Sequence, residues 1–417
     1  MRIVRLTKAV ERKLLGARRR QDLEAQRVAS RIVEDVRRRG DAALFSWTRR
    51  LDRLELTGRN MFVPRAEMRR AARRVSREFL DAVDHAAQNI RAVARKQLPR
   101  EWSIESERGV RIRQIVRPID TIGCYIPGGR FSLVSTLLMT AIPAQVAGVR
   151  NIIIASPQPG DALLAVAERL GLRCLARIGG AQAIAALACG TRSIPRVDKI
   201  FGPGNRFVTA AKFLVSADCS IDLLAGPTEA VILADRGNPK YFAADLLAQA
   251  EHDPDALALF VTTSAPLGRA VAAEIESQLA QLPKSNPAWR SLARNGAVIL
   301  ARNARSAVEF VNRIAPEHLS MESGPAAMLD GIHSAGSIFQ GDWSAQTFGD
   351  YASGSNHVLP TSSMARARGG LSAADFVKCI SVQEISRAGF RRLAPVAQEF
   401  ARAEGLVAHA RSIEVRE

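Results

Sequence analysis

The sequence predicts an α/β fold: two units with parallel-sheet cores, preceded by a helical N-terminal region and followed by a helical C-terminal tail. Three observations carry this. Residues 1–105 place apolar side chains at three- and four-residue spacing with few breakers, the period of a helix. From about residue 110, short β-branched runs alternate with Ala- and Leu-rich stretches, as parallel βαβ units with covered faces require. At 417 residues and 47% apolar content, the chain is long enough to bury more than one core.

The elements follow in order. The opening "MRIVRLTKAVERKLLGARRR" has no apolar h-region, so it does not read as a secretory signal. It is Arg-rich and acid-poor, as an organellar leader would be. Its amphipathic pattern continues through "QDLEAQRVASRIVEDVRRRG", so a first structural helix is expected instead. Residues 1–105 form the helical region, expected to pack on the second α/β unit. Residues 106–225 form the first, cofactor-side unit, with "IDTIGCYIPGG", "STLLMTAIPAQVAGV", "NIIIAS" and "DALLAVAERLGL" alternating strand and helix. After "GPTE" the alternation resumes with "AVILAD", "FAADLLAQAEH", "ALALFVTT", "NGAVILAR" and "SAVEFVNRI", giving a second unit over 226–370. Residues 371–417 read as a helical tail. No internal repeat or low-complexity linker is visible. No apolar run is long enough to span a bilayer.

Charge is unevenly placed. Residues 1–118 hold 31 Lys and Arg against 15 Asp and Glu, a net +16 of the chain's +18. A groove for nucleic acid is one reading of that excess. Few aromatics accompany the arginines, so no stacking platform is visible, and a solvated helical face is the favoured reading. The five cysteines (Cys124, Cys174, Cys189, Cys219, Cys379) are scattered and form no CxxC pair. This suits a reducing cytoplasm rather than a disulfide framework or a thiolate zinc site.

Neither GxGxxG opening a helix nor GxxxxGK[ST] occurs. Gly-rich turns do follow strand-like runs at "YIPGG", "IGGAQA" and "FGPGN". In a Rossmann-like sheet such turns line the carboxyl ends of strands, where a cofactor crevice forms, although glycine there is also ordinary turn chemistry. Histidine is scarce, with six in the chain. In "DLLAQAEHDPD" a helix is expected to run until Pro254, placing Gln249 and His252 on one face of its last turn. Such a pair could bite a metal, or His252 could simply answer the helix dipole. "IAPEHLS" sets Glu317 beside His318, suited to general-base work or to a surface loop. "GDYASGSNHVLPT" places Asp350 and His357 in a run of Gly, Ser and Asn that favours neither helix nor strand.

Together these segments resemble the histidinol dehydrogenase family: "YIPGG", "IGGAQAIAALACGT", "DKIFGPGN", "IDLLAGPTEA", "DLLAQAEH", "PEHLS", "GDYASGSNHVLPT" and "EGLVAH" occur in its order and spacing over nearly the whole chain. The resemblance implies a cytoplasmic zinc enzyme that oxidises L-histidinol to L-histidine with two NAD, late in histidine biosynthesis. It implies metal ligands at Gln249, His252, Asp350 and His409, with His409 supplied across a homodimer that shares its active sites. It implies a catalytic pair at Glu317 and His318. Substrate contacts would fall on Thr228, His318, His357 and Glu404 together with the metal ligands, and NAD contacts on Tyr125, Gln182 and Asn205. Thr228 stands where the family often has Ser, which keeps the hydroxyl, and Arg130 follows "YIPGG" where a smaller residue is expected. Two other readings remain: a related zinc- and NAD-dependent dehydrogenase of another small polar alcohol, and a nucleic-acid-binding protein using the basic region.

Overall fold

The structure is a computed structural model that describes residues 1–18, 22–128, 133–322 and 326–417. The chain opens with strand β1 (Ile3–Arg5) and helices α1 (Lys8–Arg18), α2 (Leu23–Arg39), α3 (Asp41–Asp52), α4 (Arg65–Ala72) and α5 (Arg77–Gln97). Asp22 caps α2 by accepting from Ala25 N at 2.9 Å, and Ser76 caps α5 by accepting from Phe79 N at 3.1 Å. Strands β2 (Trp102–Glu107) and β3 (Val110–Pro118) pair as a hairpin.

The first unit then runs β4 (Thr121–Tyr125), α6 (Val134–Ala147), β5 (Asn151–Ala155), α7 (Asp161–Arg169), β6 (Cys174–Ala176), α8 (Gly180–Cys189), β7 (Lys199–Phe201), α9 (Arg206–Val215) and β8 (Ser220–Ile221). The second runs β9 (Glu229–Leu233), α10 (Pro239–Ala250), β10 (Leu257–Thr262), α11 (Ala265–Leu279), α12 (Ala288–Asn295), β11 (Ala297–Leu300), α13 (Ala304–Ile314) and β12 (His318–Met321). It closes with α14 (Ala326–Asp330), β13 (Ser337–Gln340) and α15 (Gln346–Tyr351). The last elements are β14 (Val377–Ile385), α16 (Arg387–Ala403) and α17 (Val407–Glu414).

Both units carry a fully parallel sheet. The first is ordered β6-β5-β4-β7-β8, and the second β11-β10-β9-β12-β13 with β1 added at the β11 edge. Counted within each unit, both orders are 3-2-1-4-5, a doubled architecture that no sequence repeat announces. In each, the strand order reverses beside the first strand, between β4 and β7 and between β9 and β12. Such a reversal opens a crevice beyond the strands' carboxyl ends.

Alternation along the strands divides each sheet between two cores. Ile122, Cys124, Ile154 and Phe201 face a core shared with α5, α6 and α7. Ile153, Ala155 and Ile200 face another, shared with α2, α3, α8 and α9. The N-terminal helices therefore cover both faces of the first unit, where the sequence reading placed them on the second. The reason is visible in α8 and α9, whose surfaces are Ala-rich (Ala181, Ala185, Ala211) and receive Ala25 and Ala29 of α2. From this region β1 and α1 join the second unit's sheet and core, β1 by pairing with β11 and Leu14 by packing with Val231, Phe310 and Leu319.

Ion pairs clip the arginine-rich helices in place: Arg74 to Asp161, Arg177 to Glu67, Arg169 to Asp84, Arg206 to Asp22 and Glu24. Exposed pairs of this kind add little each, so the apolar contacts above hold the layers together. No helix among the described residues is long and apolar enough to cross a membrane.

The tail is not wholly helical. "VKCISVQEI" forms β14, antiparallel to β3, and completes a three-stranded sheet with β2. Its β-branched residues favour a strand, and β3 offers it an edge. Before that strand, Leu371 and Phe376 are fully buried in the first unit's core. The Phe376 ring stacks on Phe201 with centroids 4.1 Å apart and planes 18° apart. Phe376→Ala is expected to lower stability by about 3–5 kcal/mol, read as a fall in the urea midpoint. A loss below about 1 kcal/mol would mean that this ring does not anchor the arm.

Candidate active site

Two neighbouring strands of the second sheet bring the catalytic candidates together at their amino ends. Thr228 immediately precedes β9, Glu317 immediately precedes β12, and the strands pair with His318 opposite Ala230. Helix α13 stops because Ala315 turns left-handed at φ 49° before Pro316, which cannot continue a helix. That stop swings Glu317 inward. Its Oε2 accepts Thr228 Oγ1 at 2.7 Å and Glu229 N at 2.9 Å. Burial raises the Glu317 carboxyl above its ordinary value, opposed by the neighbouring His318 and by the Thr228 hydroxyl.

Thr228 Oγ1 also lies 3.0 Å from Gln249 Oε1. A hydroxyl has one proton to give. Both the Glu317 carboxylate and the Gln249 amide oxygen lie within reach of that one proton, so Thr228 divides it between them.

His318 is 3% exposed and lies flat against Phe339, with ring centroids 6.0 Å apart. Its Nδ1 is 3.4 Å from Glu229 O and 3.7 Å from Glu317 Oε2. Its Nε2 lies 3.7 Å from Asp350 Oδ1, too far for a hydrogen bond, and is a buried atom without a partner among the described residues. Burial pulls the ring's pKa down, but the Glu317 and Asp350 carboxylates outweigh it and leave the pKa raised.

Helix α10 ends at Ala250, two residues before His252, so the expected shared face of a last turn is not what holds the pair. His252 sits in the turn that follows, its N–H donating to Gln249 O at 3.3 Å. The residue before Pro254 is barred from helical geometry, and the chain leaves the helix early. Asp350 lies in the short helix α15 rather than in a loop. Burial would push its carboxyl up, yet the imidazoles of His318, His357 and His252 hold it below its ordinary value.

The rest of "GDYASGSNHVLPT" is a loop fastened to the first unit. Asn89 Nδ2 donates to Ala352 O at 2.8 Å, and Asn356 Nδ2 to Met139 O at 2.7 Å. Gly354 has φ +94°, and a Cβ there would lie 2.6 Å from Asn89 O. His357 Nδ1 is 3.0 Å from Asp350 O, and its Nε2 is 3.2 Å from Thr136 Oγ1 on α6. A carbonyl only accepts, so Nδ1 carries the proton and Nε2 accepts from Thr136. Burial lowers the His357 pKa and keeps the ring neutral. Both nitrogens are thus spent on protein, so His357 could offer one to a ligand only by giving up Thr136.

At the first unit's reversal point, Tyr125 ends β4 and the turn Gly202–Asn205 follows β7. Tyr125 is 4% exposed, and its hydroxyl oxygen accepts Gly180 N at 3.1 Å. Burial pushes its pKa up to about 12, so the phenol keeps a proton to donate. Asn205 is exposed. Its Oδ1 caps α9 by accepting Phe207 N at 3.0 Å and Val208 N at 3.1 Å, which leaves Nδ2 for a ligand. Gln182 lies deeper, fully buried, its Nε2 donating to Asp52 Oδ2 at 2.9 Å. Arg130 falls outside the described residues.

Glu404 and His409 are exposed on the α16–α17 arm, away from the other candidates in their own subunit. Beside His252 a cavity of about 640 Å³ opens between the units, walled by Phe79, Val83 and Leu138 on one side and by His252 and Tyr351 on the other. Thr136, Asn89 and Asn356 were absent from the sequence reading. Thr136 hides in the apolar run "STLLMTA", and no local spacing marks it as a partner of a loop 221 residues away.

A family model described as histidinol dehydrogenase matches residues 16–417. The histidinol dehydrogenase of Rhizobium meliloti strain 1021 is 45% identical over 408 residues, covering 96% of this chain and 94% of that protein. That of Geobacillus kaustophilus is 45% identical over 400 residues, covering 94% of each. The crystal structure of histidinol dehydrogenase from Elizabethkingia anophelis superposes with a TM-score of 0.94 at 36% identity, covering 100% of this chain and 98% of that one.

Thr136→Val keeps the shape of α6 but leaves His357 Nε2 unsatisfied, so the loop it braces should open more readily. Backbone hydrogen exchange over residues 350–358 is expected to speed up roughly ten-fold. Unchanged exchange there would remove the brace from this account.

Proposed function

The chain belongs to the histidinol dehydrogenase family, and from that premise we propose that it oxidises L-histidinol to L-histidine through bound L-histidinal, using two NAD and one zinc per subunit. The observation that carries this reading is the buried Nε2 of His318, without a partner among the described residues, on a ring set between Glu317 and Asp350.

The donor set suits zinc. Gln249 offers an amide oxygen, His252 an imidazole nitrogen and Asp350 a carboxylate oxygen, all acceptable zinc ligands. Among the described residues no three His, Cys, Asp or Glu side chains of this chain converge on one point. Following the family resemblance, the reading takes a fourth ligand, His409, from the partner subunit, with Glu404 beside it to pair with the substrate's ammonium. When bound, NAD takes up hydride, while the zinc charge orients the amino alcohol and lowers the His318 pKa by repulsion.

The chain's own residues supply the proton chemistry. His318 Nε2 accepts the carbinol proton as hydride departs. Glu229 O and Glu317 steady the ring through Nδ1. The second oxidation needs water added to the aldehyde. Glu317 is the group to take that water's proton, its basicity raised by burial. Thr228 keeps the carboxylate aimed and lies within hydrogen-bond reach of the Gln249 amide oxygen. Tyr125 and Asn205 present two donors to the cofactor at the reversal point of the first sheet. Gln182, bonded to Asp52, is the third residue assigned to the cofactor.

NADH release from L-histidinol tests the scheme: two NADH per histidinol are expected, lost on chelation and restored by zinc. A folded, zinc-loaded protein that does not turn over histidinol would redirect the assignment to another small polar alcohol. The shared site has a separate test. Mixing His409→Ala subunits with His318→Ala subunits places one intact site in each heterodimer, so partial activity should return. Verified heterodimers that stay inactive would show that the tail serves its own subunit.

A further inference from the structure

Behind the cofactor turn the first unit buries an ion pair that the proposed chemistry does not use. Lys212 is 1% exposed and Asp222 is 5% exposed. Lys212 Nζ donates to Asp222 Oδ1 and, at 3.0 Å, to Gly202 O. Asp222 Oδ2 accepts Gly202 N at 2.7 Å, and its Oδ1 accepts Leu223 N at 2.5 Å. The amide and the carbonyl of one residue are thus held by opposite members of one ion pair.

That residue occupies a special place. Gly202 follows β7 with φ 112°, and a Cβ there would lie 2.1 Å from Tyr125 O. It opens the turn that ends in Asn205, and it touches the backbone of Tyr125 across the reversal point. A buried ion pair is a poor device for stability alone, since apolar residues of similar size serve as well. Apolar residues cannot grip an N–H and a C=O of the same glycine.

We propose that Lys212 and Asp222 are positioning residues for the dinucleotide. They clamp Gly202 so that the turn Gly202–Asn205 stays seated against Tyr125, with Asn205 Nδ2 and the Tyr125 hydroxyl at a fixed separation. The proposal rests on the reading that NAD binds at this reversal point.

The test uses the full-length, zinc-loaded protein and NAD as titrant in calorimetry. Lys212→Met combined with Asp222→Asn removes both charges without leaving one unpaired. NAD affinity is expected to fall roughly ten-fold, while KM for histidinol and zinc content stay within two-fold of the parent. A folded double variant with parental NAD affinity overturns the clamp. Lys212→Gln keeps a donor near Gly202 O and is expected to recover part of the affinity. If the double variant does not fold, Lys212→Gln and Lys212→Met are compared, and equal NAD affinity in the two overturns the proposal. Asn205→Ala separates the premise from the clamp: unchanged NAD binding in that variant removes Asn205 from the cofactor site.

Discussion

The ring of His357 spans the boundary between the two α/β units, its Nδ1 on Asp350 O and its Nε2 on Thr136. Asp350 belongs to the second unit, as do Gln249, His252 and the Glu317–His318 pair. Thr136 belongs to α6, the helix that leaves the cofactor-side strand β4. One neutral imidazole therefore ties the helix that carries a carboxylate of one unit to helix α6 of the other. Asn89 and Asn356 brace the same loop from two further directions, so its aim does not depend on the ring alone. If the loop were free, Asp350 would drift from His318, and the balance of carboxylates and imidazoles there would be lost. Buried polar groups that are all satisfied stiffen a site in this way.

What the sequence made legible and what it hid divide along physical lines. Periodicity and β-branching sufficed for the two parallel sheets, because strands such as "EAVIL" and "LALFVT" are buried on both faces and read as unbroken apolar runs. The residues at the second sheet's amino ends were found through their chemistry and the family resemblance. Helix ends and partners across long sequence distances were not legible. His252 leaves α10 early because of a proline two positions on, a backbone effect weaker than the helical pattern preceding it. Strand β14 was hidden inside a reading of the tail as helix, since its stability comes from β3, more than 250 residues earlier. The packing of α2 onto α8 and α9 depends on alanines matching alanines, which carries no directional signal in a sequence. Thr136 is the sharpest case: its hydroxyl matters only because His357 arrives beside it.

The arginine-rich opening illustrates how composition misleads when read without partners. Several of those side chains meet acids of the first unit, as Arg74 meets Asp161 and Arg37 meets Asp218. The excess of charge thus belongs to a layer of helices wrapped around a sheet, with its apolar faces turned inward. The helical region is better regarded as a jacket of the cofactor-side unit than as a separate body.

Both sheets share one strand order, yet the residues gathered around their reversal points differ. In the second unit, Glu322 past the carboxyl end of β12 accepts Arg236 N at 3.1 Å and Arg236 Nε at 3.2 Å, while Thr228, Glu317 and His318 gather at the amino ends of β9 and β12. The cluster around His318 and the turns at Tyr125 and Asn205 thus sit in different units and at opposite strand ends. Substitutions around Thr228 and His318 can leave those turns untouched, since sites with no shared partners vary independently. One end of this plan can change while the other keeps its shape.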